Sequence, residues 1–401
     1  MAYIHKGTKE FKKTNLALFA AGFITFANLY ITQPLLPAFS KEFHITPATA
    51  SLSLSIATVT LAFSLILFGS LSEAWGRKKI MTISIIISSL LTLLLAFSPS
   101  FESLLILRGV QGFVLAGVPA IAMAYLGEEM DPSSLGVAMG LYISGNSIGG
   151  LAGRIIMGTM TDFFTWRIGL ISLGVLSIFI CLYFIWALPP SKHFEARPLK
   201  LKTLTKSLFQ HLKDPGLMSL FGIAFMLMGS FVTLFNYISY KLLDEPYSLS
   251  ATVVGWIFIV YLVGTFSSTW FGSLSDRFGR QKVLIAGIII MLCGALLTLP
   301  ISLFTKIIGI TIFTFGFFGA HSIASGAVSF RAKKDKAQAS SLYLFAYYFG
   351  SSIGGTTGGF FWLHYGWNGI VAFIALFLVT ASLLALAYRT ISKKEEALVR
   401  D

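Results

Sequence analysis

Two arginines stand where arginine is costly. Arg108 and Arg154 each fall inside a mostly apolar run long enough to cross a bilayer. A guanidinium at that depth costs at least ~2.5–3.5 kcal/mol even on the lenient insertion scale, so each needs a partner or a watery cavity. Its chemistry there is recognition: a rigid fork of donors that stays charged and binds carbonyls or carboxylates. Arg108, Gln111 and Gly112 lie at i, i+3 and i+4 and share a helix face. Asn146, Gly150, Arg154 and Gly158 are each four apart and form a stripe. His321, in a third apolar run, titrates near neutral pH when unperturbed and is a candidate proton carrier. Asn28, Tyr30 and Gln33 in one run, Asn236 and Tyr237 in another, and Tyr347 in a third are candidates for contacting a solute. Each has a plainer reading. Arg108 is close enough to the end of its run to snorkel, a lone histidine is commonly a hydrogen-bonded structural residue, and tyrosines gather at membrane interfaces.

The elements that position these residues are read from composition. The chain has 401 residues, 55% hydrophobic and only 12% charged, with mean hydropathy +0.79. Soluble domains carry roughly 25% charged residues. A spanning helix needs ~20 mostly apolar residues. Twelve stretches qualify, at about 16–37, 49–71, 80–98, 103–126, 136–158, 168–188, 216–240, 252–274, 281–301, 305–329, 338–362 and 367–388. The prediction is an all-α membrane protein with 12 transmembrane helices. Pro34 and Pro37 bend or end the first span.

The formal charge of +13 does not point to nucleic acid, because of where it lies. Of the Lys and Arg residues, all but Lys41, Arg108, Arg154, Arg167, Lys241 and Lys306 fall in the termini or in alternate loops. The positive-inside rule therefore puts both termini in the cytoplasm of a multi-pass cell-membrane protein. The segment Gly127–Leu135 is an inner loop with Glu128, Glu129 and Asp131 but no base; carboxylates weigh little in that rule. No acid falls at a predicted midplane. Proton handling is therefore left to His321, to Glu73, Glu128, Glu129 and Asp276 near the inner helix ends, and to Asp162 near an outer one. Cys181 and Cys293 sit one per half and suggest neither a disulfide framework nor a metal site. There is no phosphate-binding Walker loop, nucleophile elbow or His/Cys/Asp cluster, so neither an ATP-driven pump nor a membrane enzyme is supported, and no cofactor or metal is expected.

The chain also repeats itself. Phe68–Lys79, FGSLSEAWGRKK, returns as Phe271–Lys282, FGSLSDRFGRQK, with eight of twelve positions identical. GNSIGG at Gly145–Gly150 returns as GSSIGG at Gly350–Gly355, NLYITQPLL at Asn28–Leu36 as NYISYKLL at Asn236–Leu243, and Trp166 as Trp367. The matches keep one order. They define two parallel six-helix repeats: residues 1–190, a cytoplasmic basic linker at 191–214, and residues 215–401. In the linker, Leu201, Leu204, Leu208 and Leu212 recur at helical spacing among Arg197, Lys200, Lys202 and other bases. This is either an amphipathic helix on the inner leaflet or a solvated basic connector.

The repeated turn resembles the signature of the major facilitator superfamily, Gly-x-x-x-Asp-Arg-x-Gly-Arg-Arg/Lys, and the resemblance extends nearly end to end. The first copy is Gly69, Glu73, Gly76 and Arg77, with Glu73 for Asp and Ala74 for Arg; the second is Gly272, Asp276, Arg277, Gly279 and Arg280. The resemblance implies that these residues form a conformational latch; the alternative is a basic turn that only sets topology. Arg108, Gln111 and Gly112 resemble the family's Arg-x-x-Gln-Gly motif, tied to proton coupling in relatives. GNSIGG resembles the Gly-Pro-x-x-Gly-Gly motif of drug exporters, with Asn146 at the proline position. The chain is thus similar to the 12-helix bacterial drug:proton antiporter branch. The implied function is proton-coupled efflux of small amphipathic or hydrophobic compounds by alternating access, with a midplane site at the repeat interface. The expected partners are a small-molecule substrate, protons and membrane lipid, and the expected working unit is a monomer. A metabolite or sugar permease remains the alternative, and behind it a lipid-handling or receptor-like membrane protein.

Overall fold

The computed structural model describes residues 3–194, 196 and 201–398. Among these the one strand-like pairing is a single bridge between Ile4 and Met130; the rest is helix and short connections. In chain order the helices are α1 (Lys9–Tyr30), α2 (Leu36–Glu42), α3 (Pro47–Trp75), α4 (Arg77–Leu95), α5 (Phe101–Leu115), α6 (Ala122–Glu129), α7 (Leu135–Phe163) and α8 (Trp166–Ala187). Then come α9 (Leu201–Leu212), α10 (Pro215–Leu243), α11 (Ala251–Ile257), α12 (Leu262–Phe278), α13 (Arg280–Leu297), α14 (Leu303–Arg331) and α15 (Lys336–Leu398).

Among the described residues, ten helices are long and apolar enough to cross a membrane. The last of them contains Gly366 in a non-helical conformation, with φ 56°, which divides α15 into two spans. The fourth predicted span is the other departure. A continuous helix over 103–126 is corrected to α5 and α6 with a break between Leu115 and Ala122. Pro119 is the cause: a proline ring clashes with the carbonyl four residues back, and α5 stops at that residue, Leu115. The same rule ends α1 at Tyr30, four residues before Pro34. With these two accounted for, the twelve spans are present.

The chain divides into two compact units. The first comprises Met1–Ile45, Ile56–Leu199 and Ser250–Phe258; the second comprises Thr46–Ser55, Lys200–Leu249 and Ile259–Asp401. In the first, α7 lies against α1 along the glycine stripe: side chains at Gly145, Gly149 or Gly153 would meet Phe19, Phe23 and Ala27. In the second, Gly350, Gly354 and Gly358 lie in the same way against Phe225, Gly229 and Thr233 of α10. Apolar helices have no hydrophobic drive to associate within lipid, so close backbone approach through small residues must supply the packing. A Cβ on Gly149 would fall on the backbone of Phe23, which cannot swing aside. Gly149→Val is therefore expected to eliminate monodisperse protein after detergent extraction, as measured by size-exclusion chromatography. Gly140→Ala, with nothing nearby, is expected to leave it unchanged.

Of the linker, Arg197 and Lys200 lie outside the described residues. The part that follows is helical: α9 faces the α14–α15 connection with Ser207, whose Oγ donates to Asp335 Oδ2 at 2.7 Å. Its Phe209 and Leu212 are exposed.

Candidate functional site

In the first unit, the end of α1 organises the polar groups. A helix leaves its last four carbonyls without intrahelical donors, and Pro34 sets where that happens. Arg108 fills the gap from α5. Its Nη1 donates to the Asn28 carbonyl at 2.9 Å, its Nη2 to the Leu29 carbonyl at 2.6 Å, and Nη1 also to Gln111 Oε1 at 2.5 Å. A cation at a helix C-terminus is favoured by the dipole as well. Gln111 continues the chain into α4, donating to Thr92 Oγ1 at 2.8 Å. Arg108 and Gln111 are completely buried.

Arg154 reaches the same end of α1 from α7. Its Nε donates to Gln33 Oε1 at 2.7 Å and its Nη1 to the Gly150 carbonyl at 2.5 Å. Its guanidinium carbon stands 4.2 Å from the centre of the Tyr30 ring and 4.9 Å from that of Phe258. The Asn28 side chain donates to Ser177 Oγ at 3.3 Å. Thus Asn28, Tyr30, Gln33, Arg108, Gln111 and Arg154 form one array around a proline-terminated helix. Asn146 is two turns away on α7 and faces Gly22 instead.

In the second unit the candidates form two groups. Tyr237 of α10 donates its hydroxyl to the Gly355 carbonyl at 2.7 Å and stacks on Trp362 with centroids 6.1 Å apart; the amide of its neighbour Asn236 also faces Gly355. The other group is aromatic. His321 of α14 has Nδ1 3.0 Å from the Tyr343 hydroxyl. Its ring lies parallel to Phe317 at 5.9 Å and 4.7 Å from Tyr347. Phe317 in turn stacks on Phe231 at 3.9 Å. No carboxylate among the described residues takes part.

The repeated turns have one geometry and different surroundings. Gly76 and Gly279 adopt φ of 97° and 90°, a region open to glycine and strained for other residues. In the first unit Arg77 is nearly buried and bonds Glu128: Nη2 to Oε1 at 2.7 Å, Nε to both oxygens at 3.2 Å. Its Nη1 donates to Ser72 Oγ at 2.6 Å, and Ser72 bonds the Gly69 carbonyl at 2.7 Å. Glu73 is exposed and is in no ion pair among the described residues. The carboxylate that meets the turn therefore comes from the end of α6. In the second unit Ser275 bonds the Gly272 carbonyl at 2.7 Å and Asp276 is exposed. Arg277 lies against Phe278 at 5.2 Å and Arg280 over Phe330 at 4.3 Å. A double-mutant cycle on Arg77→Ala and Glu128→Ala, read by thermal unfolding, is expected to give a coupling of roughly 1 kcal/mol, the upper end for a partly exposed bidentate pair.

Sequence comparison then decides the family. The sequence matches the Major Facilitator Superfamily over residues 18–242 and again over 220–401, one match for each repeat. The chain belongs to the major facilitator superfamily. This major facilitator protein is 55% identical to the MFS-type transporter YybF of Bacillus subtilis (strain 168) over 381 residues, covering 95% of the chain and 94% of the relative. It is 50% identical over 382 residues to the inner membrane transport protein YnfM of Escherichia coli (strain K12), covering 95% and 92%. Its fold is similar to the crystal structure of a bacterial homologue of the human lysosomal transporter Spinster. The TM-score is 0.78 at 17% identity, over 96% of this chain and 99% of that one. It is an integral membrane transporter for small molecules, and its relatives are transporters rather than enzymes.

Proposed function

We propose that this transporter exports small amphipathic or hydrophobic compounds in exchange for protons. It works as a monomer by alternating access in the cell membrane, with both termini in the cytoplasm. The observation that carries the reading is the His321 group: a titratable imidazole hydrogen-bonded to Tyr343 and enclosed by Phe317 and Tyr347 within a membrane-spanning helix. Such a surface offers apolar area and ring faces to a solute while keeping one group that can gain a proton. The 17 acidic residues give no competing carboxylate at that depth. Arg108 and Arg154 hold the end of α1 and so define the shape of the first repeat. The two Gly-Arg turns act as the latch, with Glu128 as the counter-ion of the first.

A permease for a polar metabolite is the second reading. Asn146 favours it, since it stands where drug exporters carry proline. Inside-out vesicles energised by respiration separate the two. Accumulation of lipophilic fluorescent dyes, abolished by a protonophore, is the expected result. Accumulation of sugars or small polar metabolites without dye transport would replace the first reading with the second.

A further inference from the structure

The two repeats treat one position in opposite ways. Glu128 stands 51 residues beyond Arg77 and neutralises it. The residue equally far beyond Arg280 is Arg331. The second repeat therefore keeps the basic turn and puts a cation where the first has its counter-ion. Arg280, in no ion pair among the described residues, rests on the Phe330 ring. At this place the second unit has an open cavity of about 1270 Å³, walled by α9, the start of α10, the Gly279 turn, the α14–α15 connection and the end of the chain's last span.

Six bases and three carboxylates line it. The carboxylates do little to balance the rest. Asp214 is committed to Arg331, which donates from Nε at 2.7 Å, and to the N-terminus of α10, where it accepts from Gly216 and Leu217. Burial pushes the Asp214 carboxyl up, but these donors outweigh it and hold it below its ordinary value, so the pair stays ionic and self-contained. Asp335 accepts from Ser207 of α9, and Asp276 is exposed. Arg280, Lys282, Lys333, Lys334 and Arg389 remain, none in an ion pair among the described residues. Beside them the cavity exposes Phe278 and Phe330, and α9 exposes Phe209 and Leu212.

We propose that this cavity binds a phosphate-bearing anion, supplied by the headgroup of an anionic phospholipid. The cationic wall takes the phosphate, and the exposed aromatic and leucine side chains lie along the acyl chains. Basic pockets beside membrane helices recognise headgroups in this way. An arginine fork suits a phosphate's paired oxygens, and lysine adds point charge. The site is separate from the His321 group but shares Gly279 and Arg280 with the second turn; its test reads lipid binding alone, so it can fail while the export reading stands.

The test uses the full-length protein and native mass spectrometry, with phosphatidylglycerol, phosphatidylcholine of the same chains, and pyrophosphate as probes. Phosphatidylglycerol is expected to bind saturably and more tightly than phosphatidylcholine. The triple variant Arg280→Gln/Lys333→Gln/Arg389→Gln is expected to weaken it on the order of tenfold or more. The variant Lys9→Gln/Lys12→Gln, which removes charge elsewhere, is expected to leave it unchanged. Equal binding of the two lipids, or equal weakening by both variants, would overturn the proposal. Pyrophosphate binding that the triple variant abolishes, without lipid preference, would overturn the lipid source and keep the phosphate site.

Discussion

Arg108→Ala is expected to destabilise the protein by roughly 2–4 kcal/mol and to abolish transport. Two effects oppose each other. Removing a buried cation recovers an insertion penalty of ~2.5–3.5 kcal/mol. It also breaks charged hydrogen bonds to the Asn28 and Leu29 carbonyls and to Gln111, at ~1.5–3 kcal/mol each. With three acceptors the bonds win. The carbonyls cannot find intrahelical donors, because Pro34 ends the helix there. Arg108→Lys, which keeps the charge but not the fork, is expected to recover most of the stability and little of the transport. Thermal unfolding in detergent measures the first effect and vesicle uptake the second. An alanine variant with the parent's stability and flux would remove Arg108 from both roles.

His321→Gln is expected to reduce substrate-linked proton flux to background while substrate-for-substrate exchange continues. Glutamine can still hydrogen-bond the Tyr343 hydroxyl, which stands 3.0 Å from Nδ1, but its amide cannot take up a proton as an imidazole can. A purely structural histidine would show the opposite pattern: the glutamine variant would keep its coupling, and His321→Phe would lose stability instead. Measuring exchange and proton movement on the same preparation separates these outcomes, since loss of both points to a damaged fold.

The fold was largely legible because its signals are periodic and repeated. Hydropathy found the spans, Pro34 placed the end of α1, and the twin Gly-x-x-x-Gly stripes marked where α7 meets α1 and α15 meets α10. The break in the fourth span was written in Pro119 but masked by the apolar residues around it. Hydropathy averages over a window and does not see a missing N–H. The site was legible in its residues and less so in its partners. Arg108, Gln111 and Arg154 announced themselves as polar groups in lipid. What Arg108 holds is backbone carbonyl, which carries no residue-type signal; only the spacing from Pro34 hinted at it. Gln33, named as a solute contact, is engaged with Arg154. The partner of Arg77 lay 51 residues away in Glu128. Its signal was the acidic, base-free segment Gly127–Leu135 facing a basic turn. The aromatic partners of His321 come from α14 and α15, and Phe231 of α10 backs Phe317, an association that no local pattern encodes.

The most direct measurement is made on purified protein in sealed liposomes holding a pH-sensitive dye, with a pH gradient imposed across the membrane. Adding a lipophilic solute is expected to release protons down their gradient as the solute moves the other way, with the response gone in His321→Gln. Solute movement with no proton signal in the unsubstituted protein, at any imposed gradient, would contradict exchange with protons.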